Sequence, residues 1–83
     1  MKITLQLFGA YRVFGENLYF DLDDGAKVFD IRNEITKQLK DNKAFNEALL
    51  KSSRFANEKE ILDEGHPLND GDKIAIIPPV AGG

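Results

Sequence analysis

From its second residue the chain alternates between apolar and polar side chains. In Lys2 to Phe8, Ile3, Leu5 and Leu7 fall on one face of an extended segment and Thr4 and Gln6 on the other, which predicts a strand with one buried face. Phe8 breaks the alternation by placing an aromatic on the polar side. Gly9 and Gly15 bracket a turn region, after which Leu18, Phe20 and Leu22 alternate again as a second strand. The acidic stretch Asp21-Leu22-Asp23-Asp24-Gly25 ends it.

From Val28 the period changes. Val28, Ile31, Ile35 and Leu39 recur at helical spacing, while Asp30, Arg32, Glu34, Lys37 and Lys40 lie off that stripe, the pattern of an amphipathic helix with a solvated charged face. Its start is weakly signalled, since Lys27 is a poor N-cap residue and Asp24 lies far upstream. Phe45, Leu49 and Leu50 fit a second, short helix. Ser53 to Asn57 reads as a third strand, Asn57-Glu58-Lys59 as a turn, and Ile61-Leu62 as a short strand. The loop from Glu64 to Asp72 contains Asn69-Asp70-Gly71, a turn signal because glycine accepts positive φ. Lys73 to Pro78 is apolar almost throughout and is placed at the sheet centre; Pro78 and Pro79 cannot donate ladder hydrogen bonds and end it.

The predicted class is α+β: a mixed four- to five-stranded sheet with one main helix on one face. If the first and last strands pair in parallel, the helix is the crossover between them. That is the β-grasp, or ubiquitin-like, arrangement.

Eighty-three residues with 42% hydrophobic content predict one domain spanning 1–83, with a tail at 79–83. A chain this short buries only about 60% of its unfolded surface, which favours a binding module or carrier over a self-contained enzyme. It has no cysteine and one histidine, His66, so thiolate chemistry is excluded and no metal or bound cofactor is expected. Net charge is −3 with both signs interspersed; no basic stripe points to nucleic acid. No apolar run approaches the ~20 residues of a membrane helix. With no signal peptide visible, a cytoplasmic location is expected.

The chemical feature is the tail. Val80-Ala81-Gly82-Gly83 follows the two prolines, and the five residues from Pro79 can extend about 16 Å. That is enough to enter a partner's active site while the globular body stays outside. Glycines pass a narrow channel and let an enzyme approach the backbone closely. The prolines stiffen the base, so less entropy is lost on insertion. Adenylation would turn the Gly83 carboxylate into a mixed anhydride, and attack by a sulfur donor would leave a thiocarboxylate. Seven glycines in 83 residues put a chance Gly-Gly at the last two positions below about 1%, so the pair is read as functional.

The segment from His66 through Asn69-Asp70-Gly71-Asp72 to Pro78-Pro79-Val80-Ala81-Gly82-Gly83, with Tyr11-Arg12 and Gly15 after the first strand, closely resembles the small subunit of molybdopterin synthase, the MoaD family. The resemblance spans the chain, strongest in the last 18 residues. It implies a sulfur carrier that is no enzyme on its own. A ubiquitin-activating-type adenylyltransferase consumes ATP to adenylate the terminal glycine, and a sulfurtransferase system makes the thiocarboxylate. The tail then delivers sulfur to cyclic pyranopterin monophosphate within the large subunit, in a heterotetramer, for molybdenum cofactor biosynthesis. By position it implies Gly83 and Gly82 as the reactive residues, and Phe8, Ile61, Ile77, Pro78, Pro79, Val80 and Ala81 as partner contacts. Phe8 and Ile77 fall out of register with the core-facing positions, consistent with an apolar patch on the open sheet face; the alternative is that they pack under Asn42–Leu50. Ile77 stands where the family has an aromatic.

Other readings carry less. His66 precedes Pro67 in a turn and is read as structural. Asp21 to Gly25 lacks the glutamate that a calcium loop needs at its twelfth position, where Arg32 stands. Glu16-Asn17-Leu18-Tyr19-Phe20 is similar to a tag-cleavage site but alternates as a strand. Two other functions stay open: a carrier for thiamine thiazole synthesis, which shares the fold and the Gly-Gly end, and a ubiquitin-like modifier conjugated through Gly83.

Overall fold

A computed structural model describes residues 1–79. Its elements are β1 (Lys2–Leu7), a 3-10 helix (Gly9–Phe14), β2 (Asn17–Asp21), α1 (Val28–Leu39), α2 (Glu47–Ser52), β3 (Arg54–Ala56), β4 (Ile61–Leu62) and β5 (Lys73–Ile77). The strands form one sheet in the order β2-β1-β5-β3-β4. β5 is thus central, parallel to β1 from Thr4↔Lys73 to Leu7↔Ile76 and antiparallel to β3. The first and last strands do pair in parallel, and the order is that of the β-grasp.

The core joins one face of the sheet to one stripe of α1. Ile3, Leu5, Leu7, Phe55, Leu62, Ile74 and Ile76 come from the strands, and Val28, Ile31, Ile35 and Leu39 from the helix; all are buried in one cluster. The helical and strand periodicities therefore meet where the sequence places them. Leu50 from α2 and Leu68 from the loop before β5 join the same cluster. Turns fall where their residues allow: Gly71 takes φ 87°, and the Asn57 side chain accepts from the Lys59 and Glu60 amides at 2.8 and 2.9 Å.

Three features depart from the sequence reading. The stretch between Gly9 and Gly15 is a 3-10 helix rather than a plain turn, and it buries Tyr11. The Tyr11 hydroxyl lies 2.6 Å from Ser53 Oγ, and Ser53 donates in turn to the Leu49 carbonyl at 2.7 Å, so the phenol is the donor. Burial holds the Tyr11 pKa above its ordinary 10.0, only partly offset by the Ser53 bond and Arg32, which keeps the phenol neutral. Tyr11→Phe should leave Ser53 without its donor and cost about 1 kcal/mol. The check is a lower midpoint in urea unfolding at an unchanged m-value.

Second, the start of α1 is capped from a distance. Lys27 offers no side-chain acceptor, but the carbonyls of His66 and Glu64 accept from the Val28 and Phe29 amides at 3.1 and 3.0 Å. The Asp30 carboxylate accepts from the Lys27 amide at 2.8 Å. His66 is accordingly a loop residue that serves through its backbone.

Third, Arg32 does not belong to a solvated face. Its side chain is only 19% exposed. Nε and Nη2 donate to both carboxylate oxygens of Glu64 at 2.8 and 2.9 Å. Nη1 donates to the Leu50 carbonyl, and Nη2 also donates to the Ser53 carbonyl at 3.0 Å. The guanidinium carbon sits 4.9 Å from the centre of the Phe55 ring. One side chain thus ties α1, the end of α2 and the loop after β4 together.

Among the described residues, no helix is long and apolar enough to cross a membrane. No group of three or more His, Cys, Asp or Glu among them converges as a metal site requires.

Candidate functional site

Alternation along the strands turns the second face of the sheet away from the core. Cross-strand register places Gln6 beside Ala75, Ala75 beside Ala56, and Ala56 beside Ile61. Ile77 pairs with Arg54 in the next row. Phe8 follows β1 directly, at the same end as Ile77. The two alanines keep the middle of this face low, and a groove of about 420 Å³ runs over it, lined among others by Gln6, Phe8, Ala56, Ala75 and Ile77.

The three apolar positions expected on this face are all exposed: Phe8 43%, Ile61 53% and Ile77 39%. They do not pack beneath the segment 42–50. Phe8 and Ile77 share the groove, whereas Ile61 stands on the edge strand β4, across β3 from β5 and outside the lining. The charged groups at the groove are Lys73 and Glu58, and Arg54 borders Ile77 by pairing with it.

Pro78 and Pro79 leave the end of β5, next to Ile77. Pro78 lies directly over Gly9, where the Cβ of any other residue would fall 2.8 Å from its Cγ. The remaining expected site residues, Val80, Ala81, Gly82 and Gly83, lie outside the described residues.

Sequence reasoning missed the floor of the groove and the Gly9–Pro78 contact. Ala56 and Ala75 are too small to stand out as apolar anchors. A glycine after Phe8 looks like ordinary turn chemistry until the parallel register brings the end of β5 against it. The Arg32 network was hidden for a different reason, since its acceptors lie 18 to 32 positions away in sequence.

The ThiS family matches residues 5–83, nearly the whole chain. No curated protein matches it. Solved structures agree on the fold. SAMP1 from Haloferax volcanii superposes with a TM-score of 0.73 at 22% identity, covering 100% of both chains. A Pyrococcus furiosus protein provisionally assigned as molybdopterin converting factor, subunit 1, gives 0.73 at 24% identity over 96% of this chain and 99% of its own. Caldiarchaeum subterraneum ubiquitin gives 0.65 at 21% identity over 100% and 98%. This chain belongs to the ThiS family, and its fold is the ubiquitin-like β-grasp.

Proposed function

We propose that this protein is the sulfur-carrying small subunit of a molybdopterin synthase, with the Gly83 carboxyl group as its working atom. The observation that carries the reading is the exposed Phe8–Ile77 groove at the foot of the segment that ends in Gly82-Gly83. A partner that grips the groove holds the body still while the last residues reach into its active site. Pro78-Pro79-Val80 before the terminal glycines, by its resemblance to the MoaD family, favours the molybdopterin branch; the alternative is a carrier for thiamine thiazole synthesis, which shares the fold and the Gly-Gly end.

The chemistry follows from the carboxylate. An adenylyltransferase joins Gly83 to the AMP moiety of ATP and releases pyrophosphate. The outer sulfur of a persulfide on the sulfurtransferase system attacks the acyl carbon, and AMP leaves. A second thiol of that system then attacks the inner sulfur of the acyl disulfide, forming a disulfide and releasing the thiocarboxylate. The resulting thiocarboxylate transfers its sulfur to cyclic pyranopterin monophosphate in the large subunit, in the cytoplasm, and the carboxylate is regenerated with oxygen from water. This chain contributes reach, a slim terminus and a docking face; the partners supply the catalytic groups.

The test is the intact mass of the protein purified from its own cells with the molybdenum pathway active. A species heavier by the difference between sulfur and oxygen supports the carrier. Only the unmodified mass, together with larger species bearing this chain on lysines, would replace it with the protein-modifier reading.

Docking makes its own prediction. Ile77→Lys should weaken the complex with the large subunit at least tenfold, about 1.4 kcal/mol, because docking would have to strip water from an ammonium group where an apolar side chain stood. Ile61→Lys should cost less, since Ile61 lies outside the groove. Isothermal titration reads both, and the exposure of the two side chains keeps the fold intact.

A further inference from the structure

We infer that Gly9 is a positioning residue for the C-terminal segment: its bare α-carbon is the seat on which Pro78 sets the direction in which the chain leaves β5. The inference rests on the carrier reading above and concerns how the tail is aimed.

β1 and β5 run side by side as far as Leu7↔Ile76. There they part. β1 turns away through Gly9, at φ 58°, into the 3-10 helix, while β5 continues through Ile77 to Pro78. At the fork the proline ring closes over the glycine. A Cβ built on Gly9 would meet Pro78 Cγ at 2.8 Å and Cδ at 3.6 Å, and among the described residues it meets nothing else within 4 Å apart from its chain neighbours. A ring atom cannot swing aside as the end of a long side chain can. An added methyl group therefore spares the core and pushes on the residue from which the tail departs.

The proline pair passes the push on. Pro78 has a fixed φ, Pro79 follows it, and four residues later comes Gly83. A small displacement at the base is carried outward through this stiff pair. Group transfer is sensitive to such errors: a misplacement near 1 Å made far from the chemistry can cost about 10²-fold in rate. Beyond its chain neighbours, a methyl group at Gly9 meets neither Ile77 nor any other residue of the groove, so aim can be changed separately from recognition.

The experiment is ATP–pyrophosphate exchange by the cognate adenylyltransferase with the full chain as substrate, comparing wild type, Gly9→Ala, Pro78→Ala and the double variant. Gly9→Ala should lower kcat about tenfold with KM for the carrier within twofold of wild type. The same methyl should cost less than twofold when introduced into Pro78→Ala, which lacks the ring it collides with. A wild-type kcat for Gly9→Ala overturns the inference. So does an equal loss in both proline and alanine backgrounds, which would trace the effect to strain at positive φ alone. Should Gly9→Ala fail to fold by circular dichroism, Pro78→Ala decides: a lower kcat at unchanged KM supports the seat, and an unchanged kcat overturns it. Absence of exchange with wild type removes the carrier reading itself and this inference with it.

Discussion

Removing Gly83 should abolish thiocarboxylate formation while leaving the protein as stable as before. The shortened chain still ends in a glycine carboxylate, so the chemistry of the terminal group is retained. What changes is reach. One residue spans about 3.3–3.6 Å, far more than the tolerance of a reacting pair held some 3 Å apart, and activation should fall at least 10²-fold. The core cluster runs from Ile3 to Ile76 and loses no member, so the unfolding free energy should stay within about 0.5 kcal/mol of wild type. Intact mass after incubation with adenylyltransferase, ATP and sulfur donor reads the first effect, and thermal unfolding the second. A shortened chain that charges at the wild-type rate would place the working chemistry elsewhere.

The largest stability effect should come from Arg32→Ala. The variant strips the Leu50 and Ser53 carbonyls of a charged donor and leaves Glu64 unpaired. Hydrogen bonds to charged groups contribute about 1.5–3 kcal/mol each. Glu64 is 52% exposed and solvent screens its share, so the pair itself counts for little. A net loss of about 2–3 kcal/mol is expected, a fall in Tm of roughly 10–20 °C for a domain of this size. Arg32→Lys should recover less than half, because an ammonium group cannot serve a two-oxygen carboxylate and two carbonyls in one plane. The pair also leaves a pH signature. Arg32 holds the Glu64 pKa below its ordinary 4.5, mainly through their hydrogen bonds. The unfolded chain then binds the proton more readily, so this stabilisation is present above pH 4.5 and is lost as pH falls through the lower folded value. That part of the acid slope should vanish in Arg32→Ala.

These two residues show what the sequence makes legible and what it hides. The stripe of Val28, Ile31, Ile35 and Leu39 and the alternation of Ile3, Leu5 and Leu7 are local signals, and burial follows them residue by residue. Phe8 and Ile77 were legible for the converse reason: an apolar side chain on the wrong face of a strand has to be solvated or covered by a partner. Arg32 carries the same local signal as any charged helix residue, and only tertiary structure brings its acceptors within reach. The 3-10 helix escaped because six residues with one buried member, Tyr11, establish no period. The boundaries of the third strand shifted for a related reason, with Ser53 drawn out of it as the buried cap of α2.

The placement of β5 has a consequence for quality control. It is the last strand in sequence and the middle strand in space, so the sheet is whole only after the C-terminal part of the chain has been inserted between β1 and β3. The Phe8–Ile77 groove comes into being at that same moment, since Phe8 follows the first strand and Ile77 ends the last. A complete chain that has not yet folded, or has unravelled, possesses the terminal glycines but not the surface beside them. An enzyme that requires both would leave unfinished copies uncharged, and no sulfur would be loaded onto a carrier unable to deliver it.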